Sequence, residues 1–260
     1  MKREKPAFGP TRKLPGFEDR KRVHMYPVTF ATSCWENDWR PILLDPTYLP
    51  IQQIGNHLYD FAERLLIINN VHDLALVKQA AQRHLDTGAL TRLVIAEELA
   101  PDLLPFFALT RSDFPNDWVY YNALAPLAAL YACQTDFLLY QTGDVRLERP
   151  ISWIPRALAR MCKNPLYKVA NLTWNDNYAE ARRESTSRDW YFYIADRGFS
   201  DQMFLVPTSD LRQPIYHYIH PDSHHYPRGD VFEKRAFSAM IPRGWKRITY
   251  RRGSYLHRNF

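Results

Sequence analysis

The sequence predicts an α/β fold, with a mostly parallel central sheet, helices on both faces and a mixed C-terminal half. Three observations predict it. Short apolar, β-branched runs alternate with stretches of helical periodicity over the first half of the chain. Each of those runs ends in polar residues rather than in a two-residue hairpin turn. From Ile151 onward the texture changes to short aromatic-rich segments with period-two alternation. At 260 residues and 46% hydrophobic content, the chain is long enough to bury one sizeable core.

Val28 to Ala31 reads as a first strand that turns polar at Thr32, Ser33, Glu36, Asn37 and Asp38. In "YLPIQQIGNHLYDFAERL" the residues Ile51, Ile54, Leu58, Phe61 and Leu65 recur at helical spacing, and the stretch runs into "LLIINNVHD", a strand ending in Asn69, Asn70 and Asp73. "LALVKQAAQRHLD" is a second helix stopped near Gly88, and "TRLVIAEEL" a third strand. Trp118 to Cys133 is helical, interrupted or restarted at Pro126, and "DFLLY" is the fourth strand. "GFSDQMFLV" reads as a helix start, with Ser200 or Asp201 as the cap. In a sheet of this kind ligands bind beyond the carboxyl ends of the strands, where the polar strand ends would gather. No repeat or linker divides the chain, so one domain is expected over residues 25–260.

The charge is uneven. Residues 1–24 carry eight Lys or Arg against three acids, and residues 234–260 carry eight and no acid, while the middle of the chain is net acidic. The first stretch reads as a basic tail that can brush anionic lipid, giving peripheral membrane contact, and no stable nucleic-acid partner is expected. No apolar run approaches the roughly 18 residues that span a bilayer, and the first residues lack a signal-peptide core. Three widely spaced cysteines, Cys34, Cys133 and Cys162, suit a reducing compartment, so a cytoplasmic location is expected. With 9 glycines, no Gly-rich phosphate loop and no GxGxxG, a P-loop or dinucleotide enzyme is not expected, and side chains or a metal must hold any phosphate.

Several stretches carry groups suited to chemistry. In "LLYQTGDVRLE" an apolar run delivers Asp144 to the end of a strand, two residues before Arg146; a Gly-Asp pair there can also simply cap a turn. "HYIHPDSHHYPRGD" concentrates His217, His220, Asp222, His224, His225 and Asp230. It is the basis of an alternative reading as a metal-dependent hydrolase or nuclease, although Pro221 and Pro227 break regular geometry and no HExxH accompanies it. "KRITYRRGSYLHRNF" gathers Lys246, Arg247, Arg251 and Arg252, cations of the kind that offset charge on a departing diphosphate. Trp174, Asn175 and Asp176 form an aromatic and amide mixture of the sort that lines sugar pockets.

The order of these parts resembles the GT-A type of nucleotide-sugar glycosyltransferase: a first strand with a polar loop, a βαβ half, an apolar strand ending at Asp144, "GFSDQMFL" and a late His257. That resemblance covers roughly Val28 to His257. It implies transfer of a sugar from a nucleotide-sugar donor to a glycan or lipid-linked acceptor, as in polysaccharide biosynthesis. In that family an Asp-x-Asp at the end of the central strand holds a divalent metal, Mn²⁺ or Mg²⁺, and the donor's diphosphate. Asp144 matches the first acid, but Arg146 stands where the second would be. Either Asp144 works with Glu148 or a distant His, or basic groups replace the metal, or the chain is a catalytically inactive GT-A-like nucleotide-binding protein. The resemblance implies Thr32, Ser33, Asp38, Asn69, Asn70 and Asp73 at the nucleotide, Asp144 and Arg146 at the diphosphate, and Arg251 and Arg252 at the leaving group. It implies Asp144 with His257 as metal ligands, and Asp201 as the catalytic acid that holds or deprotonates the acceptor hydroxyl.

Overall fold

The computed structural model describes residues 26–223 and 231–258. One sheet organises them, in the order β3-β2-β1-β4-β9-β6-β10-β8-β7. The strands β1 (Val28–Cys34), β2 (Glu63–Ile68), β3 (Arg92–Ile95) and β4 (Phe137–Gln141) pair only in parallel with one another. Beyond β4 the sheet is mixed. β9 (Met203–Pro207) runs antiparallel to both β4 and β6 (Tyr167–Trp174). β10 (Lys246–His257) lies parallel to β6 and antiparallel to β8 (Phe192–Ala195), and β7 (Ser187–Arg188) closes the edge. A two-residue strand, β5 (Val145–Arg146), leaves the end of β4 to pair with the last turn of β10. The expected α/β sheet with a mixed second half is present.

Alternation along the strands feeds two cores. Val28, Phe30, Leu66 and Leu139 face one side, against α1 (Trp39–Leu44), α2 (Leu74–Asp86) and α5 (Ile154–Lys163). Ala31, Leu65, Leu138 and Tyr140 face the other, against α3 (Ala96–Phe106), α4 (Asp117–Ala132) and α8 (Phe232–Met240). Strands covered on both faces are apolar throughout, which is why "LLII" and "FLLY" read as continuous runs. The helix starts follow capping chemistry: the Asp73 carboxylate accepts from Leu76 N at 3.0 Å, and Asn116 Oδ1 accepts from Val119 N at 2.9 Å.

Four expectations need correction. "TRLVIAEEL" splits after Ile95, because Ala96, Glu97, Glu98 and Leu99 are helix formers with acids in the first turn, and α3 begins there. The helix expected over residues 51–65 is a π-helical turn, Tyr48–Ile54, followed by a 3-10 turn, Gly55–His57, that stops where Leu58 adopts φ 49°. α4 runs unbroken through Pro126. "GFSDQMFLV" is a loop and then strand β9, since Met203 to Pro207 find backbone partners in β4 on one side and β6 on the other. The remaining helices, α6 (Tyr178–Glu184) and α7 (Thr208–Leu211), are short. No helix among the described residues is long and apolar enough to cross a membrane. The basic tail lies outside the described residues.

Candidate active site

A cleft of about 1020 Å³ opens beyond the carboxyl ends of β1, β2, β4 and β6. Its floor is the turn after β4, Thr142 to Asp144. Gly143 passes so close to β1 that an added Cβ would lie 2.3 Å from both Ser33 O and Ile42 Cδ1, so only glycine fits. The segment after α1 clamps this turn from beneath. Tyr48 Oη donates to Gly143 O at 2.8 Å, and the buried Gln53 amide donates to Gly143 O at 2.8 Å and to Val145 O at 3.0 Å. The Asn56 amide reaches Leu147 O at 2.6 Å.

A buried polar chain completes the clamp. Trp153 Nε1 donates to His57 Nδ1 at 3.0 Å, so His57 carries its proton on Nε2 and offers it to Gln141 Oε1, also at 3.0 Å. Burial pushes His57 down to about 4, the Gln141 hydrogen bond opposing, and the ring is neutral at physiological pH.

The β5–β10 pairing sets His257 against Val145. Its backbone is held by Asn175, a left-handed residue at φ 43° whose Oδ1 accepts from His257 N at 2.8 Å and whose Nδ2 donates to His257 O at 3.2 Å. The His257 Nε2 then lies 2.9 Å from Asp144 Oδ2, while Asp144 Oδ1 accepts from Thr142 Oγ1 at 2.7 Å. One carboxylate and one imidazole thus converge at the cleft floor. A carboxylate oxygen and an imidazole nitrogen are donors that would suit a divalent cation.

Above this pair the lining is acidic. Asp38 is buried, and its Oδ1 accepts from Trp35 N at 2.7 Å. Burial pushes its carboxyl up to about 8, with the Trp35 hydrogen bond opposing and the Asp144 charge adding, so at neutral pH it is mostly a protonated donor. Asp201 enters on the loop before β9 and Glu233 on the first turn of α8. The Tyr140 phenol, 3.0 Å from Ser33 Oγ, is held well above its ordinary range by burial first, the Ser33 bond opposing, with the charges of Asp201, Asp144 and Asp38 adding. Counting Asp117, five carboxyl side chains and no Lys or Arg stand among the described residues of the lining.

The structure therefore brings together Ser33, Asp38, Asn69, Asn70, Asp144, Asp201 and His257. It separates the others. Thr32 is buried in β1 and does not line the cleft, and Asp73 is the cap of α2. Arg146 points out of the cleft, 4.0 Å from Glu148, because alternation in β5 buries Val145 and turns its neighbour outward. Arg251 and Arg252 sit where the β10 register slips between Tyr250 and Ser254, stacked over Tyr193 and Trp190 away from the site. In the histidine-rich stretch, His217 is exposed and His220 Nδ1 accepts from Asp222 N at 3.1 Å; His224, His225 and Asp230 lie outside the described residues. No three His, Cys, Asp or Glu gather as a metal group among the described residues.

No family model matches the sequence, and neither does any curated protein. Solved structures do share its architecture. A mannosyltransferase from Pyrobaculum calidifontis, in complex with GDP-Man and Mn²⁺, superposes with a TM-score of 0.54 at 12% identity over 89% of this chain and 56% of its own. GalNAc-T7 with UDP, GalNAc and Mn²⁺ gives 0.52 at 11% identity over 89% and 44%. The fold is that of the GT-A glycosyltransferases. The chain spans about half the length of these structures.

The residue that faces the cleft with Asp144 is Thr142, two positions before it, and not Arg146, two positions after. Sequence reasoning also missed Gln53, His57, Gly143, Tyr121 and Glu233. Of these, only Gly143, a glycine just before an acid at a strand end, left a local signal.

Proposed function

We propose that this chain is a glycosyltransferase that moves a sugar from a nucleotide-sugar donor to a glycan or lipid-linked saccharide. The observation that carries the reading is the convergence of Asp144 and His257 at the floor of a strand-end cleft that also holds Asp201. The nucleoside lies along Ser33 to Asp38 and the Asn69–Asn70 turn, whose conformation is set by Asn70 at φ 52° and by the Glu97 carboxylate accepting from its backbone N–H. Asn69 Nδ2 is committed to Tyr121 O at 2.9 Å, while its buried Oδ1 has no partner among the described residues and is left for a ligand donor.

The diphosphate lies at Asp144 and His257, which would hold a divalent cation that, when bound, would neutralise the charge growing on the leaving phosphate. The lining supports a cation there: among the described residues it holds five carboxyl side chains and no Lys or Arg to offset the charge of a diphosphate. Asp201 takes the proton from the acceptor hydroxyl as its oxygen bonds to the anomeric carbon. The bond from that carbon to the diphosphate oxygen breaks, and its electron pair leaves with the nucleotide.

The test is thermal unfolding with UDP, GDP, CMP and ADP, each with and without Mn²⁺, on the native chain and on Asp144→Ala. A ligand bound only to the folded state stabilises it by about 2.7 kcal/mol at a hundredfold excess over Kd, and so raises the midpoint. Stabilisation by one nucleotide, requiring Mn²⁺ and lost in Asp144→Ala, is the expected result. No stabilisation by any nucleotide would remove the reading. Nucleotide binding with no transfer from the matching nucleotide sugar would leave a binding protein on a GT-A frame.

A further inference from the structure

Three tryptophans line the cleft with much of their surface open: Trp35 is 45% exposed, Trp118 50% and Trp174 43%. Apolar rings of this size exposed around a concave site mark a binding surface. Their origins differ. Trp35 follows β1 beside Asp38, on the nucleoside side. Trp174 ends β6, and the next residue, Asn175, is the one that fixes His257. Trp118 opens α4, the helix packed across β1, β2 and β4.

The charge of the cleft narrows what these rings can meet. An acceptor bearing phosphate or carboxylate would enter a lining with five carboxyl side chains and no Lys or Arg among the described residues. It would bring like charge into that site with no partner of its own. A neutral sugar carries no such penalty: the C–H face of a pyranose packs flat on an indole, while its hydroxyls meet polar groups of the lining.

Building on the glycosyltransferase reading, we infer that the acceptor is an uncharged oligosaccharide whose rings stack on Trp174 and Trp118. Trp174, close to His257, holds the sugar that receives the transferred unit. Trp118 holds a sugar further along the chain, so the site prefers two or more linked units to a monosaccharide.

The experiment is calorimetric titration of the full chain, loaded with the stabilising nucleotide and Mn²⁺. The probes are neutral malto-, manno- and chito-oligosaccharides of one to five units, glucose 6-phosphate and glucuronic acid. Binding of one neutral series, tightening at least tenfold from one unit to three, is expected, with no binding of the two anionic probes. Trp174→Ala and Trp118→Ala should each weaken the oligosaccharide at least fivefold while the nucleotide's thermal shift is kept. Trp118→Phe should restore most of the loss if stacking is the cause.

Preferred binding of an anionic probe, or affinities indifferent to both tryptophans while the nucleotide still binds, would overturn this inference and leave the transferase reading standing. Absence of any nucleotide shift in the native chain would remove both.

Discussion

His257 Nε2 lies 2.9 Å from Asp144 Oδ2, although the two residues are separated by most of the second half of the chain. Two backbone devices create that meeting, the β5–β10 pairing and the Asn175 clamp. His257→Ala and Asp144→Asn are therefore each expected to abolish the Mn²⁺-dependent nucleotide shift and to lower transfer at least a hundredfold, with the midpoint of the unliganded protein little changed. Asn175→Ala should produce a milder version of the same loss. A full nucleotide response in His257→Ala would remove His257 from the site.

Which neighbour of Asp144 faces the site can be tested by adding an acid. Thr142 faces the cleft beside Asp144 and Arg146 does not. Thr142→Asp should lower the Mn²⁺ concentration needed for nucleotide binding, by about tenfold for one more carboxylate ligand. Arg146→Asp should leave it unchanged. The reverse pattern in a metal titration would restore Arg146 to the site.

Asp201 reaches the same cleft from the loop before β9. Asp201→Asn keeps size and removes the base. Transfer should fall by about 10² to 10⁴-fold while nucleotide binding persists, measured as turnover against the thermal shift. Transfer at the native rate would rule Asp201 out as base.

Gly143 admits no side chain, because an added Cβ would sit 2.3 Å from Ser33 O and Ile42 Cδ1. Gly143→Ala is expected to cost roughly 3 kcal/mol in denaturant unfolding, as overpacking against backbone does. It should also weaken nucleotide binding, since relief of the clash moves Asp144. An unchanged unfolding midpoint would contradict the close approach.

The two buried titrating groups act on stability with opposite signs. His57 is depressed from 6.5 to about 4, so its contribution is present above 6.5 and is lost as pH falls through 4. Asp38 is raised from 3.8 to about 8, so its contribution is present below 3.8 and is lost as pH rises through 8. Between about 4 and 6.5 the slopes offset; from there to about 8 Asp38 acts alone. Asp38→Asn should thus gain stability over the native chain as pH rises from 6.5 to 8, by roughly 2 kcal/mol over that window. Urea titrations at several pH values would measure it, and a constant difference would show that Asp38 is ionised throughout.

The parallel half of the sheet was legible because strands buried on both faces must be apolar runs, and "LLII" and "FLLY" are such runs. The same feature hid β9: "MFLV" has no alternation to separate strand from helix, and its choice is made by β4 and β6 on either side. Asp144 could be read from sequence since it ends a strand. Arg251 and Arg252 could not be placed, because their direction depends on a register slip against β6 that no local pattern encodes. Gln53 and His57 act through hydrogen bonds to residues more than 80 positions away, and in sequence they are ordinary polar residues in an apolar stretch.

The acidic lining of the cleft also bears on how fast the donor arrives. The chain carries a formal charge of +6, yet the cleft that the proposed function assigns to an anionic nucleotide is lined by carboxyl groups, with no Lys or Arg among its described residues. Global charge attracts at long range and local charge repels at short range, so the encounter is not steered into the site as in clefts lined by arginine. Raising ionic strength screens the local repulsion. For the metal-free nucleotide the association rate should then rise with salt, opposite to the usual trend for an anion meeting a basic protein. The nucleotide already complexed with a divalent cation should be captured faster and with little salt dependence, so the cation would govern the kinetics of entry as well as the chemistry that follows.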